Sequence, residues 1–185
     1  MIGSRRTLLT TLAGLAAAAL AGPVLAGDHA GTPVRLAAVN SAAPDFVGIS
    51  KWFNSAPLSI GDLRGKVVLV NFWTYGCYNC VNTLPYVTKL YETYKDKGLV
   101  VVGVHTPEFP FERSPANVQA ALKRHGITYP VGQDNDSTTW DAWHNQYWPA
   151  QYIVDQNGNV VFSHAGEGQY DEIERTVRRL LNATS

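Results

Sequence analysis

The chain has 185 residues, 45% of them hydrophobic and 16% charged, with 15 basic residues, 15 acidic residues and two cysteines. That is enough for one core burying about 70% of its unfolded surface, and short for two. With a formal charge of zero and neither a basic run nor an acidic tail, nothing in the composition points to a nucleic acid or an anionic lipid as partner.

Residues 1–26 read as an export signal. Arg5 and Arg6 give a charged start, an Ala/Leu/Gly-rich stretch runs to Ala21, and Gly22 to Ala26 close on small residues, the layout of a signal cut after Ala26. The adjacent arginines, followed by Leu8 and Leu9, resemble a twin-arginine signal, the kind that exports folded chains. Removing this segment takes away two arginines and no acid, so the remainder is mildly acidic. Export also carries the cysteines to a place where a pair can persist as a mere structural staple, so the residues around them must distinguish staple from catalyst.

Residues 27–43 are Gly, Ala, Pro and short polar residues with no apolar period, which predicts a flexible leader. The folded domain is expected over 44–185. Its first pieces, Pro44 to Ile49, Trp52-Phe53 and the alternating Leu58 to Leu63 before the Arg64-Gly65-Lys66 turn, predict a small N-terminal hairpin ahead of the main sheet.

Val67 to Phe72 is a nearly continuous apolar run, the pattern of a strand covered on both faces. After Cys80 the spacing changes to that of a helix, with Val81, Leu84, Val87, Tyr91 and Tyr94 on one stripe, Pro85 inside it as an expected kink, and Gly98 as the stop. Leu99 to Val104 is a second buried strand. A strand, helix and strand in this order form a right-handed parallel unit, which brings Cys77 and the loop beginning at His105 to one edge of the sheet.

Ser114-Pro115 then opens a helix carrying Val118, Ala121 and Leu122 and ending at Gly126. Ile127 to Val131 is a short extended stretch, and Asp134-Asn135-Asp136 forms a turn and cap for a short helix over Thr138 to Trp143. Gln151 to Asp155 and Val160 to His164 flank Asn157-Gly158, a tight hairpin turn. The last helix carries Tyr170, Ile173, Val177, Leu180 and Leu181, with acids near its start and arginines near its end, matching the helix dipole.

Cys77 falls where the first core strand gives way to a helix, so its sulfur faces the unpaired N–H groups of the first turn, which favour the reactive thiolate. Cys80, one turn further in, is better shielded and near enough to resolve a mixed disulfide. Cys77 is therefore the candidate nucleophile and Cys80 the candidate resolver. A zinc half-site lacks a second ligand pair. Covalent haem attachment lacks the histidine required after the second cysteine, where Val81 stands. A purely structural disulfide closing so short a loop stabilises little.

The run Asn71-Phe72-Trp73-Thr74-Tyr75-Gly76-Cys77-Tyr78-Asn79-Cys80 with Pro85 resembles the active-site segment of thioredoxin-fold proteins. With His105-Thr106-Pro107-Glu108 and Tyr147 to Asp155, the chain from about Pro44 to Leu181 resembles the exported TlpA/ResA-like branch, above all the thioredoxin-like domains attached to CcdA-type membrane electron transporters. The resemblance implies an α/β fold with a central mixed sheet flanked by helices, disulfide exchange with protein disulfides or dithiols in the reductive direction, and a CcdA-type membrane electron donor. A monomer without a cofactor is expected. It puts a cis proline at Pro149, exposing the preceding backbone to an incoming strand. Trp73 and Tyr78 beside the cysteines and Trp148 before Pro149 are the expected substrate contacts.

Thioredoxin proper carries a buried aspartate where this chain has Asn71. Glu108, on the loop sharing the active edge, is the best-placed replacement as base for Cys80, and His105 is second. Two other readings remain open at this stage. Thr74 and Cys77 have the Thr-x-x-Cys spacing of peroxiredoxins, which suggests a thiol peroxidase. Cys77, Cys80 and His105 could instead form a Cu(I)-binding metallochaperone site, since two thiolates suit Cu(I).

Overall fold

In the computed structural model, which describes residues 39–182, the organising element is strand β3 (Val67–Trp73), buried along its whole length. Its alternating side chains sort the domain into two layers, as a pleat of period two requires. Val67, Leu69 and Trp73 face a core with Leu84, Val87, Leu122, Ile173 and Val177, while Val68, Val70 and Phe72 face a second core with Ile60, Leu63, Trp143 and Tyr152. Each fully buried side chain of this kind contributes about 1.5–3 kcal/mol relative to exposure, so a register slip of β3, which exchanges its two faces, is strongly disfavoured.

The other strands are β1 (Ser41–Ala42), β2 (Lys51–Phe53), β4 (Leu99–His105), β5 (Val131–Gln133), β6 (Ala150–Val154) and β7 (Asn159–Ala165). They form one seven-stranded sheet in the order β1-β7-β6-β3-β4-β5-β2. β3, β4 and β5 run parallel, β6 is antiparallel to β3, and β7 is antiparallel to β6. Helices α1 (Tyr78–Tyr94), α2 (Pro115–Arg124) and α4 (Tyr170–Asn182) supply the first core. The short α3 (Thr138–Ala142) and the segment from Ala43 to Leu63 cover the opposite face. This is the expected thioredoxin-like arrangement of a mixed sheet flanked by helices. No described helix is long and apolar enough to cross a membrane.

The expected N-terminal hairpin does not form among the described residues. β1 pairs with β7 and β2 pairs with β5, at opposite edges of the sheet. Gly48, at φ 67°, lies on the connection between them, but these short strands satisfy their backbone groups on the two free sheet edges instead of on each other. The leader boundary also moves, because Ser41–Ala42 belongs to the sheet and Asn40 N–H donates to Val160 O. Edge pairing of this kind uses backbone groups alone, so it leaves no apolar period to read. The export signal and residues 27–38 of the leader lie outside the described residues.

α1 continues through Pro85 to Tyr94, and a 3₁₀ turn then leads to Gly98 at φ 103°. The strand after α2 begins at Val131, later than the expected Ile127, because Ile127 and Tyr129 offer their carbonyls to Asn54 Nδ2 instead of to a neighbouring strand.

Candidate active site

The parallel pairing of β3 with β4 sets Trp73 opposite His105, and Thr106 N–H donates to Trp73 O. Antiparallel β6 sets Ala150 beside Phe72, so Pro149 stands at the mouth of the same strand. The turn bearing Cys77, the loop after β4 and the start of β6 therefore meet at one edge. The Trp148–Pro149 peptide bond is cis.

Cys77 caps α1 in an extended backbone conformation, and its sulfur accepts the N–H of Cys80 at 3.3 Å. Both cysteines are free thiols, Cys77 half-buried and Cys80 only 1% exposed. The Cys77 thiol is drawn down to about 7, first by the hydrogen bond from the Cys80 side chain and then by the N–H groups of Cys80 and Asn79, against burial and the Glu108 carboxylate. Burial, reinforced by the bond to Cys77, pushes the Cys80 thiol far up. The pair is thus divided chemically, with the more accessible sulfur biased toward the thiolate and the buried sulfur held protonated.

Glu108 is exposed, and its carboxylate lies near enough to disfavour ionisation of both sulfurs. Tyr78 is 78% exposed directly beside Cys77. Trp148 is partly exposed, stacks obliquely on Trp140 at 4.2 Å, and donates its Nε1–H to Thr106 O at 3.0 Å. Trp73 requires a correction, since at 0% exposure it cannot touch a substrate. Its ring lies edge-on to His105. Gly103 leaves it room, because a methyl group there would come within 3.1 Å of the indole nitrogen and of Val131.

Asn71 is buried, and its Oδ1 accepts Gln151 Nε2 at 3.4 Å. Two amides therefore occupy the interior position where thioredoxin proper has a titrating carboxylate. Asp134 is buried and accepts from the Thr139 and Trp140 N–H groups and the Thr106 hydroxyl, which confirms the turn and cap and ties α3 to the active edge. Asn145 accepts from the Tyr152 hydroxyl and donates to Tyr147 O.

The Thr74 hydroxyl is buried and paired with His105 Nε2 at 3.2 Å. A peroxide-orienting hydroxyl has to face the substrate, so the peroxidase reading loses the residue that carried it. His105 is itself enclosed, stacked on Tyr75 at 5.5 Å. Among the described residues no three His, Cys, Asp or Glu side chains converge as metal ligands.

Burial pushes the His105 imidazole down to about 4, the Glu112 carboxylate opposing it in part. The folded value lies below the unfolded value of about 6.5, so this histidine stabilises the fold above that value and the contribution is lost as pH falls toward 4. The full loss is on the order of 3 kcal/mol. Urea midpoints are expected to drop between pH 6.5 and 5, and His105→Gln should remove most of that slope.

Several residues carried no functional reading in the sequence. Glu112 is fully buried at 0% exposure and accepts backbone N–H groups from Gly76, Glu108 and Phe109. A proline at the first position and a glutamate at the third of the 3₁₀ turn Pro110–Arg113 are half of a capping box, a signal that could have found it. Phe109 and Phe111 are exposed and stacked at 5.6 Å, and the Tyr75 hydroxyl donates to Phe111 O. Exposure of such aromatics leaves no mark in sequence spacing.

The Redoxin family model matches residues 38–180. Protein DipZ of Mycobacterium bovis is 48% identical over 143 residues, covering 76% of this chain but only 21% of DipZ, so the chain spans about a fifth of that relative. Thiol-disulfide oxidoreductase YkuV of Bacillus subtilis is 30% identical, covering 76% of this chain and 95% of YkuV. Among solved structures, a thioredoxin-like protein in its oxidized form superposes with a TM-score of 0.71 at 31% identity, over 79% of this chain and 98% of its own.

Proposed function

Because the chain belongs to the Redoxin family, as a TlpA/ResA-like thiol-disulfide oxidoreductase, we propose that it is exported and reduces protein disulfides through Cys77 and Cys80. The observation that carries this reading is the division of the pair into a half-exposed sulfur drawn down to about 7 and a buried one pushed up.

The Cys77 thiolate attacks one sulfur of a substrate disulfide, forming a Cys77–substrate bond and releasing the other substrate sulfur as a thiolate. Glu108, the exposed carboxylate near both sulfurs, takes the proton of Cys80. The Cys80 thiolate then attacks Cys77 Sγ, releasing the second substrate thiolate and leaving a Cys77–Cys80 disulfide. The substrate gains two electrons and the enzyme loses two. A membrane donor of the CcdA type, the partner that the family resemblance implies, restores the dithiol.

Substrate approaches over Tyr78 and Trp148, with the backbone before Pro149 as the pairing edge and the exposed rings of Phe109 and Phe111 beside the turn. Residues 1–26 serve as the export signal, of twin-arginine type, and 27–38 as a tether. The enzyme works as a monomer.

The test is insulin-disulfide reduction with a small dithiol as electron source. The initial rate should rise with pH through about 7 as Cys77 ionises, with specific activity independent of enzyme dilution. A Cys77–Cys80 potential near that of thioredoxin, about −270 mV, supports the reductive direction, and one near about −120 mV overturns it. Absence of reduction at any pH overturns the exchange reading.

A further inference from the structure

Glu112 has an environment that loop closure alone does not explain. Its carboxylate is fully buried, and none of the ion pairs among the described residues includes it. Burying a carboxylate is costly unless its oxygens are satisfied, and here the satisfaction comes from two separate segments. Oε2 accepts the N–H groups of Glu108 and Phe109 at 2.6 and 2.8 Å, within its own loop. Oε1 accepts the N–H of Gly76 at 2.8 Å, in the turn immediately before Cys77. A second tie joins the same two segments, from the Tyr75 hydroxyl to Phe111 O at 2.9 Å. Gly76 is exposed and has no positive φ, yet a methyl group built on it would overlap Glu112 Oε1. The absence of a side chain at 76 is therefore what lets the carboxylate reach the backbone.

We propose that Glu112 is a positioning residue for the nucleophile, clamping the Tyr75–Gly76 turn so that Cys77 Sγ is held at the start of α1 in line with the Cys80 N–H. The inference rests on Cys77 being the attacking sulfur. The Glu112 carboxylate accepts from backbone N–H groups and from neither thiol. It acts through the backbone of residue 76, one residue away from the sulfur whose 3.3 Å bond to Cys80 N favours the thiolate.

The clamp and a plain charge effect have opposite signs. As a nearby anion, Glu112 would disfavour the Cys77 thiolate, and neutralising it would make Cys77 more acidic. As a clamp it favours the thiolate, and losing it moves Cys77 back toward the free-thiol value of about 8.5. Glutamine separates the two readings, because its amide has one accepting oxygen and one donating nitrogen and cannot serve both segments.

The experiment is the pH dependence of Cys77 alkylation and of thiolate absorbance in the reduced full chain, for the unsubstituted protein, Glu112→Gln, Gly76→Ala and the double variant. Glu112→Gln is expected to raise the Cys77 pKa, to slow alkylation at pH 6.5 by about threefold to tenfold, and to make the Cys77–Cys80 potential more negative, because the dithiol form loses thiolate stabilisation. Gly76→Ala, which keeps the charge but blocks the contact, should shift the pKa in the same direction. The double variant should shift little beyond the larger single one, as expected for two lesions of one contact.

A Cys77 pKa that stays or falls in Glu112→Gln overturns the proposal, including when urea midpoints show a loss of stability. So does full additivity of the two substitutions. If Glu112→Gln does not fold, the sign of the Gly76→Ala shift decides. Alkylation requires no turnover, so a failed clamp remains distinguishable from a failed exchange reading, in which the unsubstituted chain reduces no insulin.

Discussion

Replacing Cys77 by serine is expected to abolish insulin reduction, with a loss of at least about a thousandfold, the scale on which removing a nucleophile acts. The reason is chemical and not structural. A serine hydroxyl does not ionise near neutral pH and forms no disulfide, so neither the first attack nor the final Cys77–Cys80 bond remains available. The fold should not suffer, because position 77 caps α1 by accepting the Cys80 N–H, and serine is among the best residues for that task. Activity lost at an unchanged or higher urea midpoint is the expected result. Retention of more than a few per cent of the activity would remove Cys77 from the mechanism.

Cys80→Ser fails at a different step. Cys77 stays half-exposed and keeps the Cys80-position N–H, and the serine hydroxyl can replace the thiol as side-chain donor, so the first attack should survive nearly intact. Release stops, because no second sulfur is present to attack the mixed disulfide. Turnover is expected to fall by at least about a hundredfold while disulfide-linked partners accumulate on Cys77, visible as adducts that a reducing agent dissolves. Their recovery from the extracytoplasmic fraction tests export as well; recovery only from the cytosol would sink it, and recovery of none would count against exchange. Glu108→Gln should prolong the same adducts more weakly, since it removes the proposed proton acceptor and leaves the resolving sulfur in place.

The fold was legible where burial and period coincide. The run Val67 to Phe72 and the stripe Leu84, Val87 and Tyr94 carry the pattern of a two-sided strand and a one-sided helix, and their parallel continuation into β4 follows from handedness. The redox pair was legible for the same reason, since a strand-to-helix junction fixes where Cys77 must sit. Edge strands were not, because β1 and β2 are held by backbone hydrogen bonds that any residues can make. Trp73 read as a substrate contact from its nearness in sequence to the cysteines, but alternation along β3 turns its ring into the core. Glu108 and Glu112 lie four residues apart in one loop, and sequence favoured the first. Only the folded chain separates the exposed carboxylate from the buried one that holds the turn before Cys77.

The placement of β1 and β2 on opposite margins of the sheet also bears on how the chain reaches its native state. Both come from one short N-terminal stretch, and their partners, Val160 and Gly132, belong to the C-terminal half. Pairings so distant in sequence close large loops before they gain any energy and are slow to form. These early strands of the sheet are thus among the last that can find their places, and until then both margins of the sheet carry unpaired backbone groups open to other chains. A chain that crosses a membrane only after folding would be shielded on both margins before it left the compartment of its synthesis, whereas one threaded through unfolded would have to acquire that protection on the far side.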